Sequence, residues 1–154
     1  MIDKIKKFFR PALPPKDQHV WVVVFVPRES NDFWTLFTWH RPGFDHCFAI
    51  RYDKYCGQWL LNDWSSHGLY SEVLPKNDLD NIIRNCVHGN WSALKYKSQA
   101  YNSIPLLAFF CVTAVKHLVG IKTWAVTPYQ LHCALKKDGA ESIFDIKDKP
   151  EGEN

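Results

Sequence analysis

One thiol, one imidazole and two neighbouring polar residues in this chain have the types and order that nucleophilic chemistry needs. Cys111 stands at the head of "CVTAVKHLVGI", which carries no charge until Lys116. A thiol attacks carbonyl carbon as thiolate, so a nucleophilic cysteine needs its pKa lowered from ~8.5 by a helix N-terminus, a nearby imidazolium, or both. A helix starting near Phe109 or Phe110 puts Cys111 in the first turn, at the positive end of the macrodipole, whereas a start at Pro105 leaves it mid-helix. His46, in "GFDHCFAI", is the candidate base. Asp63, with Asn62 as the competing register, is the candidate orienter that accepts from the imidazole and fixes its tautomer. Each piece also has a plain structural reading: an apolar-helix cysteine as a small core residue, a histidine near a turn as a surface group, Asp63 as a turn cap. His67 is the fallback base, and Cys47, Cys56, Cys86 and Cys133 read as structural thiols.

These side chains meet only if particular elements carry them. "HVWVVVFVP" is a continuous β-branched and aromatic run closed by Pro27, as expected of a strand buried on both faces. "HCFAIRYDKYCGQWLLNDW" reads as an antiparallel hairpin about a polar turn with Gly57. A turn centred near Lys54 and Tyr55 sets His46 across from Asn62 or Asp63, and the two-residue period puts Phe48 and Ile50 under the helix that carries Cys111. "LYSEVLP" is a third strand, "NDLDNIIRNCVHGN" a short helix opened by Asn77 or Asp78, and "WSALKYKSQ" a fourth strand. The Cys111 helix ends at Gly120. "TPYQLHCALKKDG" is a further helix with Thr127 as N-cap, Pro128 at the first position and Gly139 at the C-cap.

With 154 residues, 46% of them hydrophobic and 23% charged, the composition is that of one globular domain. We divide it into a basic amphipathic N-terminal segment (1–15), a domain (16–140) and a polar C-terminal tail (141–154), whose end, "KDKPEGEN", would be disordered if left alone. In "MIDKIKKFFR" the apolar Ile2, Ile5, Phe8 and Phe9 recur at helical spacing against lysines, which suits packing on the domain, docking to a partner protein or contact with an anionic membrane. The net charge of +3 is mild and otherwise scattered, so nucleic-acid binding is not expected. Five cysteines without a CxxC pair, and no signal peptide or long apolar span, point to free thiols in a cytoplasm and to no structural zinc.

The order of the segments carries a resemblance. "RPGFDHCFAIRYD", then "QWLLNDW", then much later "CVTAVKHLVGIKTWAVTPYQLHCAL" resembles the circularly permuted branch of the NlpC-type papain-like superfamily, including small phage and bacterial members, over roughly Val20 to Leu135. In that branch the histidine strand comes first and the cysteine helix last. The resemblance implies an α+β permuted papain-like fold, a small antiparallel sheet packed on the buried cysteine helix. It implies Cys111 as nucleophile, His46 as base and Asp63, or Asn62, as third residue, with no cofactor or metal. The implied activity is that of a cysteine hydrolase of peptidase or amidase type on a peptide or peptidoglycan-like substrate. The alternatives are a non-catalytic phage virion or tail component, held by assembly contacts, and a lipid acyltransferase or thioesterase of the lecithin retinol acyltransferase type, with residues 1–10 on a membrane.

Overall fold

Val20–Val26, VWVVVFV, has no side chain that prefers water, and it forms β1 in the interior of a sheet. The computed structural model describes residues 19–27, 43–65, 68–98 and 110–146. The basic N-terminal segment, "NDFWTLFTWH", His67 and the last eight residues lie outside them. The other elements are β2 (His46–Asp53), β3 (Gln58–Ser65), β4 (Gly68–Val73), α1 (Lys76–Val87), β5 (Ser92–Lys97), α2 (Cys111–Val119), α3 (Pro128–Lys137) and β6 (Glu141–Phe144). The strands form a six-stranded sheet in the order β4-β3-β2-β1-β5-β6, and every neighbouring pair is antiparallel. A mixed α+β fold, an antiparallel sheet with three helices, is therefore what the chain adopts among its described residues.

Because side chains alternate along a strand, each sheet face has its own core. On one face Trp21, Val23, Phe25, Cys47, Ala49 and Leu94 pack with Val112, Val115 and Val119 of α2 and Leu131 and Leu135 of α3. On the other, Val24, Phe48, Ile50 and Ala93 pack with Leu74 and Cys86, and α1 adds Leu79 and Ile82. This corrects one expectation. Phe48 and Ile50 lie on the α1 face, and the strand residues under the Cys111 helix are Cys47 and Ala49.

The hairpin turn also sits about one residue later than its composition suggested. Asp53 pairs with Gln58 and Ala49 with Asn62, so the turn centres between Tyr55 and Cys56. His46 is consequently not directly across from either Asn62 or Asp63. One step beyond the last of these pairs, Asp63 comes level with Phe48, two residues along from His46 on the same side of β2.

Helix ends follow their local chemistry with one exception. Thr127 caps α3 in a full capping box with Gln130, and Pro128 follows in the first turn. Gly120 ends α2 in the left-handed conformation, φ 74°, where a side chain would be strained. At α3 the C-cap itself is Asp138, with Gly139 just beyond at φ 94°. The exception is α1. It opens after Pro75, with no side-chain cap, and Asn77 and Asp78 lie inside its first turn.

The polar tail begins with an element of its own, and "KDKPEGEN" lies outside the described residues. Glu141–Phe144 is a strand, paired with β5 through Leu94 and Ser142 and through Lys95 and Glu141. Ser92 Oγ donates to the Phe144 carbonyl at 3.0 Å, and beyond the strand Ile146 closes on Gly43 so tightly that a β-carbon there would lie 2.7 Å from it.

Candidate active site

Cys111 is the first helical residue of α2. Phe110 before it is extended (φ −125°, ψ 158°) and supplies no side-chain cap, so the first-turn N–H groups of α2 receive no bond from their N-cap side chain. Of the two helix starts the sequence allows, the structure has the one that sets the thiol against the positive end of the macrodipole.

β2 brings two residues to that thiol. His46, at the strand's first position, hydrogen-bonds Cys111, and its Nε2 lies 2.7 Å from Asp63 Oδ1. With Nε2 occupied by the carboxylate, Nδ1 is the ring nitrogen left for sulfur. Both His46 and Asp63 are about three-quarters removed from solvent, with 27% and 28% of their side-chain surface exposed, so the pair is poorly screened. Asn62 points elsewhere: its Oδ1 accepts from Ser71 Oγ on β4 at 2.9 Å.

The second residue is Cys47. It is fully buried under α2 in the core against which Cys111 packs, and its thiol and its backbone amide both act to stabilise the Cys111 sulfur as thiolate. Sequence reasoning left it among the structural cysteines. The signal was nevertheless adjacent, because the residue after a strand's surface-leaning histidine must face the opposite side of the sheet, where the cysteine helix packs.

These contacts set the electrostatics. The Cys47 thiol is the largest influence on Cys111 and lowers its pKa; burial opposes it, and the His46 hydrogen bond and charge with the Cys47 amide bring the result down to about 4. For His46, burial is the largest influence and acts downward. The Asp63 and Cys111 hydrogen bonds and both charges outweigh it and raise the imidazole to about 10. Cys47 itself is pushed well above the usual thiol range, first by burial and then by its contact with the Cys111 sulfur. The arrangement is thus a thiolate–imidazolium pair at neutral pH, and the two titrations belong to the pair. What it can do chemically is attack an electrophilic carbon with sulfur and hand a proton to a leaving group from the same ring.

A second constellation looks like a hydrolytic set by composition alone. Ser92 Oγ lies 3.3 Å from His132 Nε2, and Asp145 Oδ1 lies 3.9 Å from the same nitrogen. Serine and carboxylate thus address one ring nitrogen instead of opposite ones, and Ser92 has no exposed surface. This network ties β6 to α3. Among the described residues, no three His, Cys, Asp or Glu side chains come together as a metal site would require, and no helix is long and apolar enough to cross a membrane. Comparison with family models, with curated proteins and with solved structures finds no match for this chain.

Proposed function

We propose that this protein is a cysteine hydrolase of peptidase or amidase type, working through Cys111, His46 and Asp63 on a permuted papain-like scaffold. The observation that carries the reading is the continuous chain of contacts from the Cys111 sulfur through the His46 ring to Asp63, with sulfur at a helix head. The thiolate attacks the carbonyl carbon of an amide, and the oxygen takes up the negative charge. Backbone N–H groups at the start of α2, that of Cys111 included, are the donors that stabilise it. The imidazolium of His46 protonates the departing amine, leaving an acyl-enzyme on Cys111. Neutral His46 then takes a proton from water, which attacks the acyl carbon and frees the thiolate. Asp63 holds the ring so that one nitrogen always faces sulfur. A peptide or peptidoglycan-like substrate suits this chemistry, and no step calls for a metal or organic cofactor.

The test is incubation with peptide and peptidoglycan-fragment amides, read by mass spectrometry for cleavage and for an acyl adduct on the Cys111 peptide. Cleavage that disappears in Cys111→Ala supports the reading. Fast alkylation of Cys111 without turnover of any amide or ester sinks it and leaves a binding or structural role.

A lipid-directed version of the same chemistry is favoured by one specific observation: Phe110, directly before the thiol, is 64% exposed, and Trp124 is 98% exposed. Exposed rings of this kind suit contact with an acyl chain or an interface. Faster acyl transfer from phospholipid vesicles than from soluble peptides would favour this version over amide hydrolysis.

A further inference from the structure

The proposed hydrolysis uses the Cys111 thiolate, the His46 ring and a helix head, and it leaves the Cys47 thiol without a chemical task. That thiol is an unusual neighbour. It has no exposed surface, it sits in the core cluster beneath α2 against which Cys111 itself packs, and it acts directly on the Cys111 sulfur as the largest influence lowering that thiol. The other cysteines are placed differently: Cys86 belongs to the core on the opposite sheet face, Cys56 lies exposed in the β2–β3 turn, and Cys133 is exposed on α3.

We propose that Cys47 is a resolving cysteine, which captures a peroxide-oxidised Cys111 as a reversible Cys47–Cys111 disulfide. The proposal rests on the hydrolase reading only for its consequence, that the bond silences the nucleophile; the redox step itself needs only a reactive sulfur with a thiol in contact. In the first step the Cys111 thiolate attacks the hydroxyl oxygen of a hydroperoxide. The O–O bond breaks, Cys111 becomes a sulfenic acid, and the departing alkoxide takes the His46 proton and leaves as alcohol, or as water when the oxidant is hydrogen peroxide. Sulfur loses two electrons and the peroxide gains them. In the second step Cys47 sulfur attacks Cys111 sulfur, the S–O bond breaks, and the hydroxide leaves with the Cys47 proton as water. The first step also prepares the second, because converting the thiolate to a neutral sulfenic acid removes the negative charge that holds the Cys47 proton on. An external dithiol restores both thiols by supplying two electrons and two protons.

The experiment treats the full chain with a small excess of hydrogen peroxide, blocks free thiols with iodoacetamide, and maps unreduced peptides by mass spectrometry. A Cys47–Cys111 cross-linked peptide at monomer mass is expected, with Cys111 labelling restored by dithiothreitol. In Cys47→Ala and Cys47→Ser, Cys111 should run on to sulfinic and sulfonic acids, so labelling recovered after dithiothreitol falls roughly tenfold against wild type. Accumulation of sulfinic acid in wild type without the bridge overturns the proposal, as does a bridge from Cys111 to Cys56 or Cys133. The wild-type map alone can do this, so the conclusion does not depend on either variant folding. Fast alkylation with no bridge removes this inference and leaves the hydrolase reading intact. A bridge in a chain that hydrolyses nothing removes the hydrolase reading alone.

Discussion

His46 Nε2 and Asp63 Oδ1 lie 2.7 Å apart although the two residues are not opposite one another in the β2–β3 ladder. The contact is diagonal: Asp63 stands level with Phe48, and the imidazole reaches along the strand to meet it. A diagonal pair of this kind depends on the turn at residues 54–57 keeping its length, because a one-residue slip would send Asp63 to the other face and bring Asn62 in its place. Replacement of Asp63 should therefore matter where replacement of Asn62 does not. We expect Asp63→Asn to slow the proposed amide hydrolysis at pH 7 by about tenfold or more, since the imidazole loses the carboxylate that orients it and raises its pKa, while alkylation of Cys111 by iodoacetamide, with the thiol held at about 4, stays close to wild type. Asn62→Ala, which loses only the bond to Ser71, should stay within about twofold, the effect usual for a surface polar change.

The pH profile of that alkylation should have an acid midpoint. With the Cys111 thiol held at about 4, its alkylation rate should rise through that region and be flat by neutral pH. In His46→Ala the midpoint should move up toward ~8.5, the value of a free thiol. A wild-type midpoint near ~8.5 would mean that no ion pair forms. The proposed amide hydrolysis needs the imidazolium as well, so it should fall again as pH rises through about 10, where His46 loses its proton.

Stability should show a plateau and then an alkaline decline. From about pH 4 to ~6.5 the unfolded chain holds a proton on Cys111 that the folded chain has lost, so stability rises with pH. Between ~6.5 and ~8.5 that gain is offset, because folded His46 stays protonated to about 10 while its unfolded counterpart does not. Above ~8.5 the unfolded thiols ionise, while folded Cys86 resists to about 11 and Cys47 to well above its usual range. The folded state then binds more protons and loses stability with each further rise. Urea midpoints at a series of pH values should follow this shape, and Cys86→Ala should make the alkaline limb shallower. A midpoint that keeps rising above pH ~9 would contradict the buried neutral thiols.

The capping box at α3 offers a test of the scaffold separate from the chemistry. Thr127 Oγ1 accepts from the Gln130 amide at 3.2 Å, and Gln130 Oε1 accepts from the Thr127 amide at 3.2 Å. Thr127→Ala should cost about 1 kcal/mol in a urea titration at pH 7 without altering the slope of the transition. Alkylation of Cys111 should be unchanged, because among the described residues α3 meets the site through the shared core.

Much of the fold was legible along the chain because it rests on local rules. The seven apolar residues of β1 read as a strand buried on both faces, and at its centre Val23, Val24 and Phe25 have no exposed surface, while Val20 at its start is exposed. Gly120, Thr127 and Pro128 stand where a helix end, an N-cap and a first helical turn require their chemistry. Elements whose signals were weak were missed or displaced. Glu141–Phe144 has a polar composition and becomes a strand because β5 would otherwise offer an unpaired edge. Asn77 and Asp78 are good caps by type, but Pro75 opens α1 two residues before them.

The inventory of the candidate site can be read along the chain: one cysteine ahead of an apolar helical run, one histidine opening a strand, and an acidic residue on the next strand. These follow from side-chain type and short-range periodicity, which act within a turn or a strand. Which of them meet depends on how the elements pack. The register of β2 on β3 chose Asp63 over Asn62, the start of α2 placed Cys111 at its head, and the packing of α2 on one sheet face brought in Cys47 in place of Phe48. Those choices were not readable along the chain because a one-residue shift exchanges the two faces of a strand while leaving its local pattern unchanged.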